Sequence, residues 1–367
     1  MNKIRLGIVG CGVIGQYHIR HASASARIEV TALADLHVEQ ARSSALQYNV
    51  RHVYQQGLDL IDSPHVDAVV LAVPTDVRFE LAQSALIHGK HVLLEKPAAM
   101  NIDEVKQLIA MQGSAVVASC SSRNRMMASA QVATDFISSG RLGAIRLLHC
   151  RALNFSGAML NPLAPHWRLR RQLNGGGVFA NWGSYDLDFL LGICGWQLRP
   201  RTVLARTWML PTHFVSGHPI RSDVETHVAA MICCDEDAVI HYERAESTYS
   251  SLADTWQVVG TRGALSLNLN PGQCNQVVFD SVDLQGRPTH EVLWQGEDTE
   301  DMIHGGPVTD FADAILNGTP PRTGLAEALV IQAITDAVYA SADQGRSVEV
   351  ESVELPRPSA AIPLIGA

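Results

Sequence analysis

The 367-residue sequence has no uninterrupted apolar run of the roughly 18 to 20 residues that a membrane-spanning helix requires. It also lacks an excess of positive charge, because 28 lysines and arginines stand against 37 aspartates and glutamates, for a formal net charge of −9. A chain of this charge has no broad basic face for a phosphate backbone. These absences argue against a membrane partner and against nucleic acid as the main partner, and they favour a small metabolite.

Several short catalytic patterns are also missing. The sequence contains no G-x-S-x-G nucleophile pattern and no P-loop. Fifteen histidines are present, but no pair of them has a third ligand at metal-binding spacing, so we predict no metal site. The seven cysteines are scattered and form no C-x-x-C pair, which predicts reduced thiols in a cytoplasmic protein. The apolar N-terminal stretch is short and broken by glycine, which is more typical of a buried strand than of a signal peptide.

The first 120 residues alternate between short apolar runs and amphipathic stretches. The runs are rich in valine, isoleucine and leucine, as expected for strands buried on both faces. They lie at 3–9, 28–34, 66–73, 90–95 and 114–120. The stretches between them, such as 77–88 and 102–112, predict helices. This alternation predicts an α/β fold with a doubly wound parallel sheet.

The pattern changes after residue 121. A glycine cluster opens a predicted helix at 178–193, and most of 201–296 has the pattern of short strands. Two helical stretches follow, at 307–317 and 324–343. Strands clustered in sequence and flanked by helices predict a C-terminal α+β domain with an open, largely antiparallel or mixed sheet.

A glycine-rich turn joins the first predicted strand to the first predicted helix. It reads Gly10-Cys11-Gly12-Val13-Ile14-Gly15, which is the pattern G-x-G-x-x-G. Gly10 permits a tight turn, the missing side chain at Gly12 lets the backbone approach a pyrophosphate, and Gly15 lets the helix pack close to the strand. Val13 and Ile14 begin the helix, whose N-terminus offers free N–H groups and a partial positive charge to phosphates. The turn predicts a dinucleotide site.

The second predicted strand ends at Asp35. A carboxylate at this position can accept hydrogen bonds from an adenosine ribose and would repel a 2′-phosphate. The next residues, Leu36 and His37, supply no arginine for such a phosphate. NAD is therefore favoured over NADP as the cofactor.

The fourth predicted strand runs into Glu95, Lys96 and Pro97. Ligands of parallel sheets lie beyond the carboxyl ends of the strands, so Lys96 points toward the reactive end of the cofactor. Partial burial would lower the pKa of this lysine, which could then hydrogen-bond a substrate hydroxyl and take part in its deprotonation.

Further short patterns follow the glycine turn in order along the chain. They are Ala72-Val73-Pro74-Thr75, Glu95-Lys96-Pro97, Arg123-Asn124-Arg125 and Gly175-Gly176-Gly177. Together the patterns resemble the glucose–fructose oxidoreductase/inositol dehydrogenase/MocA (Gfo/Idh/MocA) family, over residues 3 to about 350. The resemblance implies a Rossmann domain followed by an α/β domain, NAD(P)-dependent redox chemistry at a sugar or cyclitol carbon, and a homo-oligomer, dimer or tetramer, assembled through open sheets.

The resemblance also implies how the chain divides and which residues line the cofactor. The predicted domains are an NAD(P)-binding domain at 1–121, a substrate-binding and oligomerisation domain at 122–354, and a C-terminal tail at 355–367. The residues expected near the cofactor, beyond the glycine turn and Asp35, are Pro74, Thr75, Glu95, Lys96 and Asn124.

The resemblance further implies a catalytic Asp-x-x-x-His motif on the helix after the glycine run. Asn181 and Tyr185 stand at its two positions. Residues at i and i+4 project from one helical face. Asparagine can orient a hydroxyl but cannot exchange a proton at neutral pH, whereas tyrosine can donate and accept. We therefore predict that Asn181 and Tyr185 contact the substrate, with Tyr185 as a candidate acid–base group.

The irregular segment before the glycine run contains Trp167 and Arg168. An indole can stack on the C–H surface of a sugar, and an arginine can bind hydroxyls or a carboxylate. We therefore predict Trp167 and Arg168 as substrate neighbours.

We expect an NAD(H)-dependent oxidoreductase that acts on a secondary hydroxyl or ketone of a sugar, glycoside or cyclitol. Lys96 and Tyr185 would handle the hydroxyl proton, and Asn181 would hold the substrate. Two alternatives stay open. One is an enzyme with tightly bound NAD that uses transient oxidation, for epimerisation or for glycoside elimination through a keto sugar. The other is a non-catalytic sensor of a dinucleotide or sugar.

Overall fold

The computed structural model describes residues 3–155, 166–209, 222–248, 250, 254–269 and 272–353. The predicted tail at 355–367 lies outside these residues. The chain forms two compact units. Among the described residues, the first unit joins the chain up to Arg123 to Asp301–Gln332, and the second joins Asn124–Glu300 to the chain from Ala333 onward.

The first unit contains a six-stranded sheet with all strands parallel. Its strands are β1 (Ile4–Val9), β2 (Ile28–Ala34), β3 (His52–Tyr54), β4 (Ala68–Leu71), β5 (His91–Leu94) and β6 (Val117–Ser119). The alternating helices are α1 (Val13–Ala24), α2 (Val38–Tyr48), α3 (Gly57–Asp62), α4 (Thr75–Ile87) and α5 (Ile102–Met111). The strand order is β3-β2-β1-β4-β5-β6, which confirms the predicted doubly wound sheet and adds the short strand β3. The order reverses between β1 and β4, and such a switch point is where ligands bind in these sheets.

The second unit contains a nine-stranded mixed sheet. Its strands are β7 (Ile145–Phe155), β8 (Pro200–Trp208), β9 (His227–Cys234), β10 (Val239–Thr248), β11 (Thr255–Gly260), β12 (Ala264–Leu267), β13 (Cys274–Val282), β14 (Pro288–Glu297) and β15 (Val348–Glu349). The strand order is β14-β13-β12-β11-β7-β10-β9-β8-β15. Only β7 and β10 pair in parallel, so the predicted open, largely antiparallel or mixed sheet is confirmed.

Five further helices complete the described part of the chain. They are α6 (Ala128–Ser138), α7 (Arg171–Asn174), α8 (Ser184–Ile193), α9 (Glu300–Asn317) and α10 (Leu325–Gln344). The helix predicted at 178–193 differs at its start, because Phe179–Gly183 is a π-helical segment that runs into α8.

The segment 301–332 packs with the first unit, whereas the sequence pattern predicts it as part of the domain 122–354. Val308 and Phe311 of α9 are buried in the same core cluster as Ile8 and Ile19. Leu325 of α10 joins the core cluster on the other side of the sheet. The difference arises because sequence patterns predict contiguous domains, while this chain returns to its first unit after forming most of the second.

Among the described residues, α10 is the one helix long and apolar enough to cross a membrane by length and composition. In the structure, 67% of its most apolar window is buried. Such burial is typical of a core helix, whose hydrophobic residues pack against the protein itself.

Candidate active site

The three glycines of the glycine turn have different surroundings. Gly10 has a φ of +94°, and a Cβ added there would overlap the carbonyl oxygen of Ala72. A Cβ added at Gly15 would overlap the carbonyl oxygen of Gly10. A Cβ added at Gly12 would have nothing within 4 Å. The fold therefore requires Gly10 and Gly15, whereas Gly12 leaves open space above the turn.

This open space lies at the start of α1. Gly12 is the N-cap of the helix and provides no side-chain cap. Val13, which follows, is 79% exposed, and Ile14 is partly exposed. The first N–H groups of a helix have no acceptor within the helix and carry a partial positive charge. The start of α1 thus has the backbone donors and the free access that a pyrophosphate requires.

Asp35 follows β2 and holds the glycine turn in place. Its Oδ2 accepts the N–H of Cys11 at 2.8 Å, and its Oδ1 accepts the N–H of His37 at 2.8 Å. An ionised carboxylate has about four acceptor positions, so two amides leave capacity for ribose hydroxyls. The adjacent Leu36 is 71% exposed and offers no positive charge to a 2′-phosphate. This set of donors and acceptors fits NAD.

Glu95, directly after β5, is paired with His18 in the interior of the first unit. The Nε2 of His18 lies 2.9 Å from Glu95 Oε1, and the N–H of Lys96 donates to Glu95 Oε2 at 3.1 Å. Both side chains of the pair are at most 10% exposed. Burial raises the pKa of Glu95, but the hydrogen bond and charge of His18, together with Lys96 and Arg78, outweigh it and lower the pKa to about 2. Glu95 is therefore a carboxylate at neutral pH, a buried partner of α1 that the sequence spacing does not predict.

Cys120 extends this pair into a buried cluster. Its Sγ lies 3.9 Å from His18 Nε2, and the three side chains are the one group of potential metal ligands this close together among the described residues. Burial raises the pKa of the Cys120 thiol well above its usual value, and the charge of Glu95 raises it further. Because Glu95 already accepts from His18 and from the N–H of Lys96, we interpret the cluster as a buried hydrogen-bonded contact between α1 and the segment after β5.

Arg78 connects the turn before α4 with the segment that contains Lys96. It is 1% exposed and donates to the carbonyl oxygens of Val73 and Pro97. Pro74 is the N-cap of α4, and Thr75 is fully buried, with an Oγ1 that has no hydrogen-bond partner among the described residues. The structure thus explains Arg78, for which the sequence predicts no role, as the link between two segments predicted to line the cofactor.

Lys96 is partly exposed and lies two residues after the end of β5, the strand that pairs with the switch-point strand β4. Asn124 lies in the short 3-10 segment Cys120–Met126, at the first position of the second unit. The neighbouring Arg125 donates its Nε to Asp188 Oδ1 at 2.6 Å, which fixes this segment to α8 within the second unit.

In the second unit, the glycine run starts the helix that contains Asn181 and Tyr185. Gly175 is left-handed, with a φ of +83°, and a Cβ added at Gly177 would overlap the backbone of Glu225. The carboxylate of Glu225 accepts the N–H groups of Gly177 at 2.8 Å and Phe179 at 3.0 Å. It also accepts the hydroxyl of Tyr339 at 2.8 Å. A distant carboxylate therefore caps this helix, and the sequence gives no local signal for it.

Asn181 lies in the π-helical segment and Tyr185 in the first turn of α8. Single π-helical turns within α-helices are frequent at functional sites. Asn181 is partly exposed, whereas Tyr185 is only 3% exposed, with its ring in an edge-to-face contact with Trp182, centroids 6.1 Å apart.

The carboxylate of Glu246, near the end of β10, lies close to the side chains of three residues, Asn181 among them. The Nδ2 of Asn181 and the Nε1 of Trp182 each lie 3.3 Å from Glu246 Oε1. The Nη2 of Arg168 lies 3.5 Å from the same oxygen. The structure thus brings together the predicted residues Asn181 and Arg168 around a carboxylate that the sequence patterns do not single out. Trp167, the other predicted neighbour, is partly exposed in the same short 3-10 turn as Arg168.

Comparison with known families gives matches to both units. Residues 4–119 match a family model described as an oxidoreductase family with an NAD-binding Rossmann fold. Residues 130–266 match the GFO/IDH/MocA C-terminal domain.

Individual relatives and solved structures agree with these matches. A levoglucosan dehydrogenase from Pseudarthrobacter phenanthrenivorans is 24% identical over 396 aligned residues, covering 96% of this chain and all of the relative. An inositol 2-dehydrogenase from Ralstonia nicotianae is 32% identical over 156 residues, covering 41% of this chain and 46% of the relative. A solved structure of levoglucosan dehydrogenase in complex with NADH and L-sorbose has the same fold, with a TM-score of 0.83, 22% identity and coverage of 96% and 100%.

Proposed function

This chain belongs to the Gfo/Idh/MocA family of NAD-dependent oxidoreductases, and on that basis we propose that it interconverts a secondary alcohol and a ketone on a sugar, glycoside or cyclitol. Its cofactor is NAD, which supplies the hydride acceptor or donor when bound. Levoglucosan dehydrogenase matches most of the chain, and inositol 2-dehydrogenase matches part of it. The names of both relatives support a polyhydroxylated ring as substrate.

The observation that carries the proposal is the arrangement within the first unit. An open glycine at the start of α1, the acceptor Asp35 after β2 and the amine of Lys96 after β5 all follow carboxyl ends of strands in one parallel sheet. In this type of sheet, that edge holds the dinucleotide, with the phosphates at the first helix.

The side chains have distinct proposed roles. The ammonium Nζ of Lys96 donates to the reacting hydroxyl oxygen and shares in the transfer of its proton. The hydroxyl of Tyr185 is the second group able to donate or accept that proton, and the amide of Asn181 orients the substrate. Val13, Ile14, Pro74, Thr75 and Asn124 complete the proposed lining of the cofactor site.

A screen of sugars, glycosides and cyclitols tests the function directly. Oxidation is followed by NADH absorbance, with NADP in parallel, and we expect turnover with NAD on at least one polyol. Lys96→Met should still bind NADH but lose most turnover, about 100-fold or more, as expected for a group that acts on the proton. Lys106→Met removes a lysine that pairs with Asp103 on the exposed side of α5 and should leave both unchanged.

Two results would contradict the proposal or modify it. Saturable NADH binding without hydride transfer to any of the compounds would favour the sensor alternative. Nucleotide that co-purifies with the protein and is not released during turnover would favour the alternative with transient oxidation.

We also propose that the protein is a cytoplasmic homo-oligomer that assembles through the open face of the nine-stranded sheet. Leu204, Trp208 and Met231 are 47%, 49% and 44% exposed on β8 and β9, beside a groove of about 650 Å³. Burial of apolar area of this kind stabilises subunit contacts. All seven cysteines are free, which is consistent with a reducing compartment. Light scattering of the wild-type protein and of Met231→Glu measures the oligomeric state and its dependence on this face.

A further inference from the structure

The carboxylate of Glu246 has an unusual set of neighbours in the second unit. Three donors, from Asn181, Trp182 and Arg168, approach within 3.3 to 3.5 Å. All three end on Oε1, which leaves Oε2 with no hydrogen-bond partner in the described part of the chain. Oε1 thus holds the Glu246 side chain in place, and Oε2 is held in position without accepting a hydrogen bond from the described residues.

A second network fixes the position of one of these donors, Trp182. The guanidinium carbon of Arg244 lies 4.4 Å from the ring centroid of Trp182, a cation–π contact. Arg244 is held in turn by Asp186, with Nη1 at 3.0 Å from Oδ2, and Tyr242 donates its hydroxyl to the same oxygen at 2.8 Å. Because Asp186 is 1% exposed and its partners are packed around it, the indole of Trp182 is locked. A carboxylate whose hydrogen-bond donor is held this firmly loses little entropy when it binds a ligand.

Glu246 is more exposed to solvent than Asp186 at the centre of this network. Its side chain is 32% exposed and that of Arg168 is 34% exposed. An ion pair at this level of exposure contributes little to stability, at most about 1 kcal/mol. Stability alone therefore does not explain why three donors converge on this carboxylate.

We propose that Glu246 is a substrate-binding carboxylate, whose Oε2 accepts a hydrogen bond from a hydroxyl of the polyol substrate. Arg168 donates to the oxygen of a neighbouring hydroxyl. The inference rests on the proposed function and adds a specificity determinant to it, because the bound hydroxyl is one that does not react.

The charges of the subsite indicate what kind of substrate it takes. Glu246 and Arg168 are one negative and one positive group, so their sum is neutral. A neutral polyol can donate a hydroxyl to the carboxylate and accept from the arginine, whereas the carboxylate of a sugar acid can accept from Arg168 but has no proton to donate to Glu246. The subsite therefore favours uncharged polyols with hydroxyls on adjacent carbons.

Glu246→Gln tests the proposal, because glutamine has the same shape but presents an amide N–H₂ in place of one acceptor oxygen. We expect kcat/KM for the best polyol of the screen to fall roughly 10- to 100-fold, the range for a lost hydrogen bond to a charged group. The melting temperature and the affinity for NADH should not change. Glu291→Gln is the control, since Glu291 is also a strand carboxylate paired with an arginine, Arg141, with a side chain that is 50% exposed, and it should behave as wild type.

Deoxy analogues of the same polyol identify the hydroxyl. The wild type should lose a similar factor when one particular non-reacting hydroxyl is replaced by hydrogen, and Glu246→Gln should lose little further with that analogue. Arg168→Gln is a second variant, at a side chain that is 34% exposed, and it should lower kcat/KM for the same polyol. It tests the subsite in case Glu246→Gln does not fold. Unchanged kcat/KM in Glu246→Gln, or equal losses for every deoxy analogue in both proteins, would overturn the proposal.

Calorimetric titration of myo-inositol into the protein–NADH complex separates this inference from the proposed function. Binding that Glu246→Gln weakens, without turnover of any polyol, would support the subsite and contradict the oxidoreductase activity. Turnover that Glu246→Gln leaves unchanged would contradict the subsite alone. Absence of both binding and turnover in the wild type would overturn both.

Discussion

The Nε2 of His18 lies 2.9 Å from Oε1 of Glu95, although the two residues are 77 positions apart in the chain. His18 is on α1, the helix that begins at the glycine turn, and Glu95 also accepts the backbone N–H of Lys96. The pair therefore connects the helix predicted to receive the phosphates with the backbone of the lysine predicted to act on the substrate.

His18→Leu should destabilise the protein strongly, because it leaves the Glu95 carboxylate buried without its partner. The expected loss in the free energy of unfolding is about 3–5 kcal/mol, the range for breaking a buried pair. Urea denaturation of wild type and variant measures it. Arg5→Leu breaks the exposed pair between Arg5 and Asp67 and should cost no more than about 1 kcal/mol. Equal losses of unfolding free energy in the two variants would show that the His18–Glu95 pair contributes no more to stability than an exposed ion pair.

Gly12→Ala and Gly15→Ala should impair different properties, although both glycines belong to one turn. The first should weaken NADH binding, and the second should lower thermal stability. Gly12→Ala should keep its melting temperature, because the added Cβ has nothing within 4 Å and the backbone φ of −70° suits alanine. Its affinity for NADH should fall about 10-fold or more, since the methyl group occupies the approach of the pyrophosphate. Gly15→Ala should instead lower the melting temperature, because its Cβ overlaps the carbonyl oxygen of Gly10. Fluorescence titration with NADH and thermal unfolding give the two readouts, and wild-type NADH affinity in Gly12→Ala would contradict the predicted site.

Glu225 should make stability depend on pH. Burial raises the pKa of this carboxyl above its usual value, against the lowering effect of its hydrogen bonds from Phe179 and Tyr339. The folded state therefore holds the proton more tightly than the unfolded state, so stability is highest below the usual carboxyl pKa and falls as pH rises through the raised value. Glu225→Gln removes the titration. The difference in unfolding free energy between the two proteins, measured in urea from pH 4 to 7, should shift in favour of the variant as pH rises, and a constant difference would refute the prediction.

Features set by nearby residues could be predicted from the sequence. The strand–turn–helix context of Gly10, Gly12 and Gly15 predicts the dinucleotide turn, because Gly10 and Gly15 are required by backbone contacts close in sequence or space and Gly12 leaves room for a pyrophosphate. The apolar runs predict the parallel sheet for the same reason, since a strand buried on both faces must be apolar throughout. The confirmed fold class rests on such short-range patterns.

Features set by residues far apart in the chain were beyond prediction. Glu225 caps a helix 48 positions earlier, and Glu246 contacts Asn181 across 65 positions. Neither carboxylate is marked by a pattern in the residues beside it. The role of each depends on which residues, distant in sequence, the folded chain brings next to it. The π-helical turn at Phe179–Gly183 likewise has the apolar composition of an ordinary helix start.

The return of α9 to the first unit has a consequence for synthesis of the chain on the ribosome. Strands β1 to β6 are complete by residue 119, but Val308 and Phe311 that fill their core are made only after most of the second unit. At 5–20 residues per second, translation from residue 124 to residue 332 takes roughly 10–40 s. During that interval the nascent N-terminal sheet exposes an apolar surface, so chaperones that shield such surfaces have a window in which to bind it.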